Sequence, residues 1–286
     1  MRSSLPVLTV LILVLASCDT AGPGSGSGYP DRVLAYIAGS SQPPFGVCVL
    51  PDGQYVYVSH DGSEGVIVYG MAEGQTVAEI PLGNYSRGMD STPDGNYVYV
   101  TGRYSDDLTV VRTSTNTVHR VIAGFSDPCD VTVLPNGQYA YVSSSGSDEV
   151  VVVETASNSI VDAIGVGCEP DGVVCTPDGD YVYVVNHGSD NVLVIDTSDN
   201  GIVADTPVGF GPRCAAVMPN GEYVYVTNSF DNTVSVLRTS DHTVVATIAV
   251  GSAPIGVAAL PGDDHVYVAE SGDNTVAIIC TGDNTV

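Results

Sequence analysis

The sequence predicts an all-β fold built from six copies of one four-stranded unit. The phrase PDGQYVYV at residues 51–58 returns as PDGNYVYV at 93–100 and as PDGDYVYV at 177–184. The phrase and its variants begin at six prolines that are always 42 residues apart, namely Pro51, Pro93, Pro135, Pro177, Pro219 and Pro261. No helical period accompanies it. A repeat of this length holding four short strands is typical of a β-propeller blade.

The fourth copy illustrates the strand order within one repeat. Its four strand candidates are GVVCT at 172–176, YVYVV at 181–185, VLVID at 192–196 and IVADTPV at 202–208. They are rich in β-branched and aromatic residues, and Gly, Asp and Asn separate them, as expected for antiparallel strands joined by turns. The turn Pro177-Asp178-Gly179 joins the first strand to the second.

The blade count follows from the two ends of the repeat region. The last copy stops near the start of its fourth strand, and Val33–Ile37 resemble the missing remainder. The length from residue 33 to residue 286 matches six repeats. We therefore predict a six-bladed β-propeller of four-stranded antiparallel blades, with the N-terminal strand closing the last blade.

The N-terminal residues predict export and membrane anchoring. Residues 1–17 combine Arg2 with an apolar run that is too short to span a bilayer, as in a signal peptide. The stretch Leu15-Ala16-Ser17-Cys18 resembles the lipobox of bacterial lipoproteins, which implies cleavage before Cys18 and lipid on its sulfur. Residues 18–31 then form a lipidated, Gly/Ser-rich tether, and residues 32–286 form a single propeller. The alternative is an ordinary secreted protein in which Cys18 is incidental.

The charge excludes two classes of partner. The chain has 33 Asp and Glu residues against eight Arg and no Lys, which gives a net charge of −25. Nucleic acid and anionic lipid surfaces both require clustered cations, so neither is expected as a partner. We predict an extracytoplasmic lipoprotein that touches the membrane only through its lipid, on the periplasmic side or at the cell surface.

The fourth copy also carries a family resemblance. The run PDGDYVYVVNHGSDNVLVIDTSDNGIVADTPVG at residues 177–209 resembles the YVTN-family β-propeller repeat, and residues 223–228 read YVYVTN. The resemblance covers about residues 33–286 and implies a microbial surface-layer or extracytoplasmic propeller. Related propellers include lactonase-like enzymes and haem d1 domains. The chain contains no Cys-x-x-Cys-His, so covalent c-type haem is excluded, and no cofactor is predicted.

Function is expected where the copies differ. At one position near the predicted channel mouth the six copies carry different residues, namely Phe45, Arg87, Cys129, Asp171, Arg213 and Ile255. Arg87 and Arg213 are predicted to face each other, with Arg103 nearby, and to grip a small anionic ligand or an acidic side chain of a partner protein. In the alternative interpretation, Arg213 pairs with Asp171 and Arg87 pairs with Asp130 or Asp90.

Other top-face positions also break the repeat. His60, Tyr104, His187 and Phe230 are predicted to line a ligand or partner surface. The carboxylates of these loops lack the dense ligand spacing of a calcium site, so no metal site is predicted. Cys129, Cys168 and Cys214 all fall near the mouth, and a disulfide from Cys168 to Cys129 or to Cys214 is a candidate.

No catalytic motif is present: the chain lacks Gly-x-Ser-x-Gly, His-Glu-x-x-His and a Gly-rich phosphate loop. The leading functional hypothesis is a monomeric, membrane-anchored propeller that binds or displays without catalysis. The alternatives are a lactonase-like or lyase-like enzyme with a top-face active site, and a surface-layer or adhesion module. An enzyme should show a deep top pocket in which a His has a carboxylate partner, whereas a scaffold should show broad, shallow, polar loops.

Overall fold

A computed structural model describes residues 44–60, 65–72, 74–82 and 85–286. Every regular element in these residues is a β-strand, and the 23 strands form six sheets arranged in a ring. The predicted all-β, six-bladed propeller is thereby confirmed. None of the described residues belongs to a helix with the length and apolar character that crossing a membrane requires.

The first three blades contain strands β1 to β12. Blade one comprises β1 (Pro44–Val49), β2 (Tyr55–His60), β3 (Val66–Gly70) and β4 (Thr76–Ile80). Blade two comprises β5 (Ser86–Ser91), β6 (Tyr97–Gly102), β7 (Asp107–Arg112) and β8 (Thr117–Ala123). Blade three comprises β9 (Pro128–Val133), β10 (Tyr139–Ser144), β11 (Glu149–Glu154) and β12 (Ser159–Gly165).

The remaining blades contain β13 to β23. Blade four comprises β13 (Pro170–Cys175), β14 (Tyr181–Asn186), β15 (Asn191–Asp196) and β16 (Gly201–Pro207). Blade five comprises β17 (Pro212–Val217), β18 (Tyr223–Asn228), β19 (Thr233–Arg238) and β20 (Thr243–Ala249). Blade six comprises β21 (Pro254–Ala259), β22 (His265–Glu270) and β23 (Thr275–Cys280), followed by a single bridge between Cys280 and Thr285.

Within each blade the strands pair antiparallel in chain order. The first strands of successive blades contact one another, from β1 through β5, β9, β13 and β17 to β21, and so line the channel. The strand predicted to close blade six, Val33–Ile37, lies outside the described residues. So do the predicted signal peptide (1–17) and the lipidated Cys18 with its tether (18–31).

The repeated phrase builds the bottom turn and the second strand. In blade two, Gly95 adopts a φ of 70°, a left-handed conformation that glycine adopts without strain. Asp94 accepts a hydrogen bond from the backbone N–H of Asn96 at 3.0 Å, which closes an Asx-type turn. The valines of the following strand pack against one neighbouring blade and its central tyrosine packs against the other.

A buried tyrosine joins each of the first five blades to the next. Tyr57, Tyr99, Tyr141, Tyr183 and Tyr225 are at most 1% exposed. Each hydroxyl is hydrogen-bonded, at 2.5 to 3.3 Å, to a side chain 59 residues further on: Asn116, Asn158, Asn200, His242 and Asn284 respectively. All five partners have positive φ, which Asn and His tolerate better than most residues. The bond therefore ties a strand of one blade to a loop of the next.

A second contact between blades fixes the channel wall. Buried hydroxyls in the second strands donate to a carbonyl oxygen in the first strand of the next blade. The pairs are Ser59 with Arg87, Thr101 with Cys129, Ser143 with Asp171, and Thr227 with Ile255, at 2.6 to 3.0 Å. Blade four carries Val185 at this position, so the Arg213 carbonyl receives no such bond. These bonds hold the backbone of the channel mouth while leaving its side chains free to vary.

The tyrosine contact predicts a measurable stability difference. Tyr99→Phe should lower the free energy of unfolding by about 1 kcal/mol, because it removes the hydroxyl bonded to Asn158. Urea denaturation followed by circular dichroism would measure it. Tyr267→Phe is the matched control, because Tyr267 has the same repeat position but its hydroxyl forms no hydrogen bond within the described residues. Equal losses in the two variants would contradict the assigned role.

Candidate functional site

The mouth of the channel is formed by the six residues that the repeat singled out. Phe45, Arg87, Cys129, Asp171, Arg213 and Ile255 are each the second residue of a first strand. The pairing of first and second strands shifts register beside this position in every blade. Such bulges redirect side chains and are common beside functional sites. The mouth is therefore a ring of variable side chains on a repeated backbone.

One carboxylate at the mouth is shared by two guanidinium groups. Arg87 Nη1 lies 3.4 Å from Asp171 Oδ1, and Arg213 Nη1 lies 3.0 Å from Asp171 Oδ2. In the alternative interpretation of the sequence, Arg213 pairs with Asp171 and Arg87 pairs with Asp130 or Asp90. The first of these pairs is present, whereas Arg87 forms its ion pair with Asp171 instead of Asp130 or Asp90. An Arg side chain is long enough to pass the intervening blade three and reach blade four.

Two further contacts hold the Arg87 side chain where it passes blade three. Its Nη1 donates to Cys129 Sγ at 3.3 Å, and its guanidinium carbon lies 4.2 Å from the centroid of the Phe45 ring. The Arg87 side chain is 10% exposed and that of Asp171 13%, but Arg213 is 33% exposed. Arg213 Nε is buried and has no hydrogen-bond partner among the described residues. Arg213 is thus the accessible cation of the mouth.

Arg103 is committed to a different pair. Its Nε and Nη2 donate to the two carboxylate oxygens of Asp127 at 2.7 and 3.0 Å. That hydrogen bonding raises the pKa of Arg103. Burial alone would raise the pKa of Asp127, but hydrogen bonds from Arg103 and Ser145 outweigh it, so that pKa is lowered. Arg103 therefore lies on the top of blade two, as expected, and its guanidinium group is already paired with Asp127.

The aromatic positions on the top face separate into two groups. Tyr104 is 63% exposed and meets the Tyr85 ring edge-on, with centroids 4.3 Å apart. His187 and Phe230 come together across blades four and five, with ring centroids 5.3 Å apart. His187 Nδ1 lies 3.1 Å from the Pro212 carbonyl oxygen, beside the strand that carries Arg213. His60 is buried at the end of β2 and does not contribute to an exposed surface.

The disulfide candidate is not present: Cys129, Cys168 and Cys214 are free thiols in the structure. Cys129 is buried against Arg87, whereas Cys168 is exposed on a top loop. Burial raises the pKa of Cys214, with a further contribution from the Asp171 carboxylate. The repeat positions of these cysteines are close together along the ring, but their burial differs: Cys129 is buried, Cys214 is partly buried and Cys168 is exposed.

Two partly buried carboxylates, Asp90 and Asp130, lie in the channel wall, and neither pairs with Arg87. Asp90 accepts a hydrogen bond from the Val133 N–H of the next blade at 2.7 Å, and Asp130 accepts one from Val173 N–H at 3.2 Å. Burial raises the pKa of Asp90 to about 6 and that of Asp130 to about 7. A signal was available for Asp130, because the matching positions carry Gly46, Gly88, Gly172 and Gly256, with Cys214 as the other exception.

The described residues contain no group of three or more His, Cys, Asp or Glu side chains arranged to hold a metal ion.

The structure also contains a feature that the sequence did not reveal, an open cleft on top of blades four and five. It has a volume of about 460 Å³ and is lined by Glu169, His187, Gly188, Asp190, Phe210, Phe230 and Asp231. Five of its residues were not predicted, namely Glu169, Gly188, Asp190, Phe210 and Asp231. Each loop shows only one or two of them, and the cleft exists only when two blades are side by side.

The raised pKa values of Asp90 and Asp130 predict how stability depends on pH. Because folding raises their pKa above the ordinary value of 3.8, the folded state holds more protons than the unfolded state between those values. The free energy of unfolding should therefore fall as pH rises from about 4 to about 7. Asp130→Asn should remove part of this fall, on the order of a few kcal/mol. Urea denaturation at a series of pH values measures it.

The control for this experiment is Asp52→Asn. Asp52 occupies an exposed bottom turn, and the chain itself carries Asn136 and Asn220 at the matching positions. This variant should keep the full pH dependence. An identical pH profile for Asp130→Asn and the unaltered protein would show that the Asp130 carboxylate does not control it.

Solved structures of other proteins have a similar fold. The chain is similar to a hydrazine synthase chain of Kuenenia stuttgartiensis, with a TM-score of 0.77 and 24% identity over 87% of this chain and 86% of that chain. It is also similar to a functionally unknown protein from Desulfotomaculum acetoxidans DSM 771, with a TM-score of 0.75 and 16% identity over 85% and 84% of the two chains. At these identities the likeness extends to the fold alone. No curated protein matches the chain.

The family described as lactonase, 7-bladed beta-propeller matches three overlapping segments, residues 41–120, 113–197 and 169–280. Together these segments cover most of the chain and all five complete blades. The described residues form six blades, one fewer than the family description states. The chain therefore belongs to the lactonase, 7-bladed beta-propeller family.

Proposed function

We propose that this protein is a binding propeller that takes a small anionic ligand, or an acidic side chain of a partner protein, at its channel mouth. The observation that carries the proposal is the sharing of Asp171 between Arg87 and Arg213. Two guanidinium groups and one carboxylate leave a net positive charge at the mouth of a chain whose overall net charge is −25. Guanidinium groups recognise carboxylate and phosphate groups.

Arg213 is the residue through which the ligand would bind. It is more exposed than Arg87, and its buried Nε has no partner among the described residues. Phe45 and Ile255, at 51% and 42% exposed, supply apolar surface in the same ring. The site therefore suits an anion with some apolar character, and Arg87 serves to orient Asp171 and through it Arg213.

The family description favours a second candidate, lactone hydrolysis, and the lyase-like alternative belongs with it. His187 would be the general base, because an Nδ1–H donated to the Pro212 carbonyl leaves Nε2 free to accept a proton. However, the His187 ring forms no hydrogen bond to a carboxylate within the described residues, and its cleft is open. These features support binding over catalysis. The surface-layer or adhesion alternative stays a prediction, since it concerns contacts with other molecules.

We also propose that the propeller is tethered outside the cytoplasm through lipid on Cys18. The lipobox-like stretch before Cys18 and the Gly/Ser-rich residues after it support this proposal. The acidic propeller would then contact the membrane through lipid alone, since a chain with this charge is not attracted to anionic lipid.

The anion proposal is tested by titration calorimetry with citrate, inorganic phosphate and a glutamate-containing peptide. The unaltered protein should bind at least one of them. Arg213→Ala should weaken that binding about 10- to 100-fold, because it removes a charge-assisted hydrogen bond. Arg238→Ala is the matched control: Arg238 is the exposed last residue of β19 and pairs with Asp241 in the turn that follows, away from the mouth, so its loss should leave binding unchanged.

Two outcomes would contradict this proposal. One is the absence of binding to every compound of the panel, and the other is binding that Arg213→Ala does not weaken. If the unaltered protein opened a lactone ring in a pH-stat assay, and His187→Ala abolished the reaction, the lactonase candidate would replace it.

The anchor is tested by expressing the chain from residue 1 in a bacterial host with labelled fatty acid. We expect label on the protein and its recovery with membranes. Cys18→Ser should lose the label and move to the soluble fraction, because the propeller would then have no lipid to hold it. Membrane recovery that is the same with and without Cys18 would rule out this anchor.

A further inference from the structure

The open cleft on blades four and five combines exposed aromatic rings with carboxylates. Phe210 and Phe230 are 62% and 70% exposed, so both rings lie open to a ligand. The other side chains lining it are His187, Glu169, Asp190 and Asp231. A volume of about 460 Å³ falls in the range of small-molecule sites. The cleft therefore has the size for a small ligand, and its side chains determine which kind.

Three of these side chains, Phe210, Phe230 and Glu169, are replaced by small residues in other repeats, so the fold does not require them. Where blade five has Phe230, three other described blades have glycine, namely Gly146, Gly188 and Gly272. Where blade five has Phe210, the chain elsewhere has Ser126 and Ser252. Where this repeat has Glu169, the next two repeats have Gly211 and Ala253. The same backbone thus forms with small, neutral residues at each of these positions.

The negative charge of the cleft also exceeds what the loops need. Asp190 Oδ1 accepts a hydrogen bond from Gly211 N–H at 2.8 Å, and the neutral Asn232 makes the same bond to Ala253 one blade on, at 2.9 Å. Asp231 accepts from Phe210 N–H at 2.7 Å. One blade earlier, a serine hydroxyl, that of Ser189, makes the equivalent bond at 2.6 Å. A neutral side chain would satisfy each loop.

No cation within the described residues balances this charge. Glu169, Asp190 and Asp231 form no ion pair there, and the second carboxylate oxygen of each Asp has no hydrogen-bond donor. Aromatic faces attract cations through the quadrupole of the ring, and carboxylates add direct attraction. The complement of this cleft is a compact, positively charged group with an apolar surface.

We propose that the cleft between blades four and five binds a small organic cation of the alkylated ammonium class. Phe210 and Phe230 contact its alkyl groups, and Glu169, Asp190 and Asp231 supply the opposing charge. This site is separate in its chemistry from the arginine site of the mouth, which selects anions. A binding propeller with both would hold two ligands of opposite charge, or the two ends of one zwitterion, on the same top face.

The first test compares choline with its neutral isostere 3,3-dimethylbutan-1-ol by titration calorimetry. The two have the same shape, and only choline is charged. Choline should bind at least about tenfold more tightly, and raising the salt concentration should weaken it, because part of the attraction is between exposed charges. Equal binding of the two compounds would overturn the proposal, because it would show a merely apolar surface.

The second test removes the Phe230 ring, which glycine replaces at three matching positions of the chain. Phe230→Gly should weaken choline binding about 3- to 30-fold through loss of the ring face. Phe230→Leu keeps an apolar side chain without the ring and should also weaken it, which keeps the test valid if the glycine variant fails to fold. Choline binding that neither change weakens would overturn the proposal.

The third test isolates the charge. Asp231→Ser should weaken choline binding and keep the loop, because Ser189 makes the equivalent bond. Asp273→Ser is the matched control: Asp273 has the same repeat position in blade six and accepts from Ser252 N–H at 2.6 Å, outside the cleft. Equal effects of the two substitutions would overturn the proposal. So would binding of a lysine-containing tripeptide, but not of choline, since the occupant would then be a partner side chain.

Discussion

The structure depends on hydrogen bonds that pass from one blade to the next at fixed intervals of the chain. A buried tyrosine of one blade bonds a side chain 59 residues later, and a buried second-strand hydroxyl bonds a carbonyl of the following channel strand. Buried polar groups are costly unless they are paired, so these bonds set the angle and spacing between sheets. They use the backbone of the mouth residues and leave their side chains unconstrained. A repeated frame can therefore carry five residue types at the six positions of one ring.

The mouth shows how an acidic protein can keep a cationic site. Arg87 is nearly buried and stabilised by Asp171, Cys129 and the Phe45 ring, so its charge is balanced within the protein. Arg213 shares the same carboxylate and is therefore incompletely balanced. Below them, Asp90 and Asp130 lie in the wall with raised pKa values, because burial disfavours their ionised form. These carboxyl groups add negative charge to the channel wall when they ionise.

Membership of a family named for lactonases does not assign that activity to this chain. Propellers share a frame, and chemistry is determined by the few side chains that vary on it. Here the variable side chains form an arginine site and an acidic, aromatic cleft on neighbouring parts of one face. Neither contains a histidine hydrogen-bonded to a carboxylate within the described residues. The combination favours recognition of charged ligands, and the loops that form the cleft belong to the part of each repeat that differs from its neighbours.

The sequence by itself determined the number of blades, the strand order and the ring position of Phe45, Arg87, Cys129, Asp171, Arg213 and Ile255. A period of 42 residues without drift fixes all of these, because each copy must occupy the same place in its sheet. Only the tertiary structure decided that Arg87 bonds Asp171, that Cys129, Cys168 and Cys214 stay apart, and that Glu169 and Phe230 line one cleft. Arg87 and Asp171 are 84 positions apart in the sequence, and Glu169 and Phe230 are 61 apart, on different blades. The length, direction and burial of the side chains determine these contacts, and a repeat pattern in the sequence does not specify any of these properties.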